Sequence, residues 1–260
     1  MSADYPRLCA DLADEQDAVA ALVAEDPVAW DRATPSAGWD VHDQVAHLAY
    51  FDAAAAQALV DPEGFARARD ALVATLGDLD EATLARGEDP AALRARWRAA
   101  RADLESALVR TDPGARVPWF GPPMSAVSFA RARLMETWAH GHDVAAALAR
   151  PLAPTDRLVH VARLGLATRD WSYRVRGQTP PPGRVGLRLE APSGALWELG
   201  SEGADDVVEG PAEDLCLVVT QRRHVEDTAL RCGALGRDWL LRAQAFAGAP
   251  TWPPAPGSRP

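Results

Sequence analysis

The hydrophobic pattern of this chain changes near residue 150, and that change limits the folds open to it. Before this point apolar residues recur close to the 3.6-residue period of an amphipathic helix, as in the run from Leu8 to Val23. After it, residues 184–190 alternate apolar and polar side chains, as a half-buried strand does. The Pro-rich segment 150–154 lies between them and is the best linker candidate. We therefore expect a helical first part and a mixed second part.

The first part is predicted to contain four main helices. Asp40 is placed to cap one of them, with Asp43 in its first turn complementing the helix dipole. Residues 116–123 cannot be helical, because their prolines fix φ and lack the amide donor. The four main helices are predicted over 5–24, 41–60, 90–108 and 125–149, and a further helical piece over 62–76. Long helices joined by polar or Pro-rich connectors indicate a four-helix bundle.

The second part is predicted to be α+β, which makes the whole chain a two-domain protein of α + α/β class. Thr155 is the expected cap of its first helix, and residues beyond Gly248 are expected to be loose. The predicted elements are helix 155–175, strands 184–190, 196–199 and 206–210, helix 211–222, a weak strand 228–231 and helix 236–247. The predicted domains are 1–150, 155–248 and a Pro-rich tail, 249–260.

Composition narrows the class of protein. The net charge of −10 without a broad basic patch argues against a nucleic-acid partner. No apolar run approaches the roughly 18 residues that a membrane span needs. The acidic N-terminus is unlike a signal peptide, so a cytoplasmic protein is expected. The chain has no lysine, which excludes Schiff-base chemistry, and its three cysteines lack CxxC spacing and are expected to be buried, reduced thiols.

The most informative local pattern is Glu136-Thr137-Trp138-Ala139-His140. Glu136 and His140 are four residues apart, which puts both side chains on one face of a helix. A carboxylate and an imidazole so placed can supply two ligands to one metal ion. The alternative is an ordinary ion pair of Glu136 with Arg133 or His140.

His47 is the candidate for a third ligand. It lies in the middle of its predicted helix, as the Glu136/His140 pair does, and bundle metal sites draw ligands from facing helices. Two histidines and one carboxylate leave coordination positions open, as catalytic metals require. The alternative is that His47 is a core residue whose ring nitrogens have hydrogen-bond partners within the protein. A further alternative is that His142 or Asp143 closes the site as a fourth ligand, which replacing His142 would test.

Two segments carry a family resemblance. Residues 38–48 fit G-W-x-V-x-x-x-x-x-H-L, and residues 136–143 fit E-x-x-x-H-x-x-D. With these motifs the chain resembles the DinB-like metal-binding superfamily, and more closely its actinobacterial mycothiol-dependent maleylpyruvate isomerase type. The resemblance covers most of the chain. It implies an N-terminal DinB-like four-helix bundle and a smaller, sterol-carrier-like C-terminal domain.

The resemblance also implies a site and a chemistry. The metal, usually zinc, would be held by His47, Glu136 and His140, although the same ligands also suit Ni²⁺ or Fe²⁺. An arginine of the second domain is implicated, for which Arg222 and Arg223 are the candidates, with a surface role as the alternative. Mycothiol or another low-molecular-weight thiol would bind the metal as a thiolate nucleophile.

Further residues are candidates for contacting a substrate. The loop around Trp119 is either a rigid connector packed in the core or an apolar roof over the metal site. The candidates are Tyr50, Trp119, Phe120, Arg133, His142 and Asp143.

The residues alone indicate a metal enzyme, and the family resemblance favours a zinc-dependent thiol transferase or isomerase, a monomer or homodimer, that acts on a small electrophilic or polar molecule. Two alternatives stay open. One is a metal Lewis-acid or hydrolytic enzyme that uses no thiol. The other is a small-molecule-binding protein whose metal is structural, although structural zinc normally has four protein ligands.

Overall fold

The computed structural model of the chain describes residues 4–24, 29–75, 83–84 and 86–258. The chain divides into two compact units, Met1–Leu152 and Ala153–Pro260. The first is helical and the second contains a small sheet. Over the described residues, we find no helix with the length and apolar character that crossing a membrane requires.

The N-terminal unit is built from helices that the sequence pattern locates well. The predicted bounds are confirmed to within two residues, except that residue 76 lies outside the described residues. The helices are α1 (Asp4–Leu22), α2 (Val41–Val60), α3 (Pro62–Thr75), α4 (Pro90–Arg110) and α5 (Ala126–Leu148).

Side-chain caps fix where three of these helices begin. Asp40 and Asp43 form a capping box, in which each side chain accepts a hydrogen bond from the other residue's backbone amide. Asp89 caps α4 ahead of Pro90, and Ser125 caps α5. The caps satisfy amides that a helix leaves without partners, and the one at Asp40 places His47 two turns into α2.

The core of the N-terminal unit lies between the apolar faces of α1, α2, α4 and α5. α1 packs tightly on α5 at Gly141, where a Cβ atom would lie 2.3 Å from Cγ2 of Val19. A glycine beside His140 therefore lets α1 pack directly on the helix that carries two of the candidate ligands.

A two-residue antiparallel ribbon, β1 (Arg116–Val117) with β2 (Met124–Ser125), leads into α5. It brackets the Pro-rich stretch that the sequence excluded from helix. The ribbon itself was not predicted, because two-residue strands carry no periodic signal.

The C-terminal unit combines short helices with a three-stranded sheet. Its elements are α6 (Leu158–Ala167), α7 (Arg169–Arg174), β3 (Val185–Glu190), β4 (Leu196–Leu199), β5 (Asp206–Pro211), α8 (Ala212–Val219), a 3₁₀ turn (Val225–Asp227) and α9 (Ala234–Leu240). β3 is central, antiparallel to β4 and parallel to β5. The three strands were predicted, but their order was not.

The single helix predicted from Thr155 to Val175 is wrong. The structure has α6 and α7, separated at Thr168, whose hydroxyl donates to the Leu164 carbonyl at 2.8 Å. Such back-bonding competes with helix continuation. Arg157, without a side-chain cap, precedes α6, so Thr155 is not its N-cap.

Three further predictions for this unit need correction. The helix predicted over 211–222 ends at Val219, because Gln221 adopts a left-handed φ of 59°. The weak strand 228–231 is an isolated bridge between Glu209 and Arg231. The last helix runs over Ala234–Leu240 rather than 236–247.

The Pro-rich tail is not loose through residue 258, contrary to prediction. The Thr251 hydroxyl donates to Gln221 Oε1 at 2.7 Å, and the Gly257 amide donates to Asp227 Oδ2 at 2.8 Å. The guanidinium of Arg176 lies over the Trp252 ring at 4.7 Å. Composition alone missed these contacts, which depend on partners distant in sequence.

Candidate metal centre

His47 on α2 and the Glu136/His140 pair on α5 meet inside the N-terminal unit. One ligand atom of each residue lies within 4.8 Å of the others. His140 Nε2 is 3.2 Å from Glu136 Oε2, and the two imidazole centroids are 4.5 Å apart. The side chain of Glu136 is 24 % exposed whereas that of His140 is 10 % exposed. The cluster is therefore largely buried and reaches solvent on the Glu136 side.

This donor set fits a divalent ion. Bonds of about 2.0–2.2 Å in a tetrahedral shell put neighbouring ligand atoms roughly 3.4 Å apart, close to the separation of His140 Nε2 and Glu136 Oε2. Two imidazoles and one carboxylate suit Zn²⁺, Ni²⁺ or Fe²⁺ and leave positions for water or a substrate.

Two aromatic side chains wall the cluster. The Trp39 ring is stacked on His140, with centroids 5.9 Å apart and planes at 17°, and lies 5.2 Å from His47. Phe51, one turn after His47, lies 4.5 Å from it. Apolar walls lower the local dielectric and strengthen charge interactions at the cluster.

Residues around the ligands include several that sequence reasoning missed as site residues. His140 Nδ1 lies 2.5 Å from Oε1 of the buried Gln44, whose amide donates to Thr34 Oγ1 at 2.9 Å. The Ser36 hydroxyl donates to Asp143 Oδ2 at 3.0 Å. Gln44 could have been found, because it precedes His47 by three residues and shares its helix face. The loop residues Thr34 and Ser36 carried no such signal.

Arg133, a predicted substrate contact, lies in the protein interior. Its Nε and Nη2 atoms donate to Oδ1 of Asp52 at 3.1 and 2.9 Å, and both side chains are almost completely buried. Oδ2 of Asp52 accepts from Gln16 Nε2 and Trp97 Nε1, each at 2.9 Å. This four-residue Asp52 network joins α1, α2, α4 and α5, and a substrate role for Arg133 stays a prediction.

The aromatic loop lies one layer away from the ligands. Trp119 is buried, stacked on Phe65 with planes at 6° and centroids at 5.6 Å. Phe120 is half-buried and lies 5.4 Å from Phe51, which itself contacts His47. Trp119 thus packs in an aromatic core, and both Trp119 and Phe120 contact Phe51, at 5.9 and 5.4 Å.

Tyr50 on α2 and His142 on α5 are both partly buried. Tyr50 packs edge-on against Phe51 at 5.2 Å, and burial raises the pKa of its hydroxyl. The His142 ring lies 5.7 Å from Trp138, and His142 is not part of the three-residue ligand group. Their roles toward a substrate stay predictions, as does that of Asp143.

The two candidate arginines belong to the C-terminal unit. Arg222 Nη1 donates to the Thr220 carbonyl at 2.8 Å. Arg223 Nη1 donates to Asp214 Oδ1 at 3.1 Å in a partly buried ion pair. These contacts fix both side chains locally, and a catalytic role for either stays a prediction.

A second group with ligand-like spacing, Asp40, His42 and Asp43, has another explanation. Its two carboxylates form the capping box of α2. His42 Nε2 lies 3.0 Å from the Glu88 carbonyl. Helix capping and loop anchoring account for this group without a metal.

The cysteines offer no activated nucleophile. Cys9 and Cys216 are buried as predicted, whereas Cys232 is partly exposed, and all three are free thiols. Burial raises the pKa of each thiol, most strongly that of Cys216. A raised pKa lowers the thiolate fraction at neutral pH, and the thiolate is the reactive form.

We therefore expect iodoacetamide to label native Cys9 and Cys216 far more slowly than the same cysteines in urea. Peptide mass spectrometry of both samples measures the ratio for each site. Labelling of native Cys216 as fast as in urea would contradict its burial.

Residues 12–145, more than half of the chain, match the family model described as the mycothiol maleylpyruvate isomerase N-terminal domain. This stretch contains all three residues of the ligand group. The chain belongs to this DinB-like family. The resemblance seen in the two sequence motifs is thereby confirmed.

The family assignment agrees with two further comparisons. Two Mycobacterium tuberculosis proteins, from strains CDC 1551 / Oshkosh and ATCC 25618 / H37Rv and both described as uncharacterized, are each 43 % identical over 254 residues, covering 95 % of this chain and 98 % of theirs. The crystal structure of the mycothiol-dependent maleylpyruvate isomerase matches with a TM-score of 0.57 at 16 % identity, over 95 % of this chain and 96 % of that one.

A histidine-to-alanine mutant of that isomerase gives the same TM-score and identity, over 87 % of this chain and 92 % of its own. At this identity the structures establish the fold alone. A helical N-terminal region with a small sheet region is thus shared with the isomerase.

Proposed function

We propose that the protein is a divalent-metal-dependent enzyme that uses mycothiol, or a related low-molecular-weight thiol. It would either transfer the thiol to a small electrophile or isomerise that electrophile with the help of the thiol. The observation that carries this proposal is the His47, Glu136 and His140 group, inside a family domain named for a mycothiol isomerase. Zn²⁺ is the ion we favour, with Ni²⁺ and Fe²⁺ as alternatives.

The chain supplies the surroundings that such chemistry needs. His47, Glu136 and His140 would hold the ion, and a bound divalent cation would favour thiolate over thiol at neutral pH. Trp39 and Phe51 exclude water on two sides, and Glu136 marks the side open to solvent. Burial raises the pKa of all three cysteine thiols of the chain, which favours a nucleophilic thiol supplied from outside it.

Two features of the architecture belong to the same proposal. We assign α1, α2, α4 and α5 to a DinB-type four-helix bundle, supported by the Asp52 network that joins all four. We assign the C-terminal unit to a sterol-carrier-like domain, supported by its small sheet and the helices that contact β3 and β5. Arg222 or Arg223 would contribute a positive charge toward an anionic substrate.

Calorimetric titration with mycothiol tests whether the protein binds the proposed thiol. We expect binding to metal-loaded protein and an affinity lower by about 100-fold, or roughly 2.8 kcal/mol, for metal-stripped protein. Glutathione, a thiol that lacks the sugar part of mycothiol, serves as the control and shows what that part contributes to binding. The loaded protein is then incubated with mycothiol and a cis-unsaturated dicarboxylic acid.

The products separate the reaction classes. Consumption of the thiol indicates a transferase, and a cis-to-trans change with the thiol regenerated indicates an isomerase. If mycothiol neither binds nor changes any electrophile, the thiol proposal is wrong. Hydrolysis by the loaded protein without thiol would then support the Lewis-acid alternative.

A further inference from the structure

We infer that Gln44 is a positioning residue that fixes the ring tautomer of His140, so that Nε2 presents its lone pair to the metal ion. The inference rests on the proposed function, because it concerns the same centre. Gln44 is not one of the three candidate ligands, and it stands at an unspecified position of the first family motif.

Gln44 contacts His140 directly. Oε1 of Gln44 lies 2.5 Å from Nδ1 of His140, and Gln44 is completely buried. An amide oxygen can only accept a hydrogen bond, so Nδ1 must carry the hydrogen. In a neutral imidazole the other nitrogen, Nε2, then has the lone pair.

Thr34 orients the side-chain amide of Gln44. The Gln44 Nε2 group donates to Thr34 Oγ1 at 2.9 Å, and the Thr34 hydroxyl donates to the Trp39 carbonyl at 2.9 Å. A carbonyl only accepts, so the single hydroxyl hydrogen points at Trp39 and the hydroxyl oxygen faces Gln44. The chain from Trp39 to His140 therefore has one direction, and it turns Oε1 toward the imidazole.

Nε2 of His140 faces the other ligand residues. It lies 3.2 Å from Glu136 Oε2, on the side where the ligand atoms of the three residues converge. Trp39 also stacks on the same imidazole, so one loop residue both ends the hydrogen-bonded chain and holds the ring plane. Outer partners of this kind orient ligating histidines and are worth about 10–100-fold in metal affinity.

Two substitutions of similar size separate positioning from packing. Gln44→Met keeps the volume but removes the acceptor, whereas Gln44→Glu keeps the acceptor but adds a buried charge. We expect Gln44→Met to lower Zn²⁺ affinity by about 10–100-fold, and Gln44→Glu to retain the wild-type affinity. Competition with a chromophoric chelator measures both.

The metal-free proteins should show the reverse order. Burying a carboxylate costs more than burying a thioether, so Gln44→Glu should melt below Gln44→Met. If Gln44 only filled space, the two variants would rank in the same order for Zn²⁺ affinity and for melting temperature. Wild-type affinity in Gln44→Met, or an equal loss in both variants, would overturn the inference.

A third variant covers the case in which a change at the buried site prevents folding. Thr34→Val removes the hydroxyl that orients the amide and leaves Gln44 in place. We expect a smaller loss of Zn²⁺ affinity than in Gln44→Met, and an unchanged affinity would count against the directed chain. Wild-type protein that binds no metal at all would overturn the proposed function itself, whereas a metal-binding wild type matched by Gln44→Met would overturn only this inference.

Discussion

Replacing Asp52 by alanine should lower the free energy of unfolding of the N-terminal unit by about 3–5 kcal/mol. Asp52 is completely buried and accepts hydrogen bonds from Arg133, Gln16 and Trp97. Without the carboxylate the Arg133 guanidinium becomes a buried charge with its counter-ion removed, and two buried N–H groups lose their acceptor. Urea unfolding followed by helix circular dichroism measures the change.

The loss should also reach the metal centre. Asp52 follows His47 by five residues on α2, and Arg133 precedes Glu136 by three on α5. Their ion pair therefore holds the two ligand-bearing helices in register close to the ligands.

Two controls sharpen the Asp52 experiment. Glu63→Ala removes an exposed helical ion pair with Arg67 at 3.9 Å, and should cost less than about 1 kcal/mol. The double change Asp52→Leu with Arg133→Met removes both buried charges and should recover much of the stability. A loss below about 1 kcal/mol for Asp52→Ala alone would show that the network does not join the helices as described.

Replacing any one of the three ligands should nearly abolish metal binding. We expect His47→Ala, Glu136→Ala and His140→Ala each to lower Zn²⁺ affinity by at least about 4 kcal/mol, on the order of 1,000-fold. The physical reason is that two remaining donors cannot offset the desolvation of a divalent ion in a largely buried site. Chelator competition gives the affinity, and circular dichroism checks the fold.

His142→Ala is the matched control, because it removes an imidazole two residues from His140 on the same helix. An unchanged Zn²⁺ affinity supports a site with open positions. A loss as large as that of His140→Ala would mean that His142 closes the site as a fourth ligand. The metal would then be structural and the proposed chemistry wrong.

The sequence predicted the features that depend on local pattern. Apolar periodicity located the long helices, and Asp40 with Asp43 marked where α2 begins. Helical spacing placed Glu136 beside His140, and equal depth in two helices suggested that His47 would join them. Each of these inferences needs only the geometry of one or two regular helices.

The features that were missed depend on partners distant in sequence. Asp52 is followed by four alanines and belongs to no motif, yet it contacts three other helices. The chain from His140 through Gln44 to the Thr34 loop depends on how that loop folds back. In the C-terminal unit, the parallel pairing of β3 with β5 and the tail contacts of Thr251 have the same origin.

Metal content of the wild-type protein, purified without chelator or His-tag, tests the central claim most directly. Plasma mass spectrometry should find about one divalent ion per chain, as one three-ligand site requires, and none in His47→Ala or Glu136→Ala. That result would establish the centre and name its ion. Wild-type protein that stays metal-free after supplementation with zinc, nickel and iron would contradict the account, leaving a family fold without the metal chemistry.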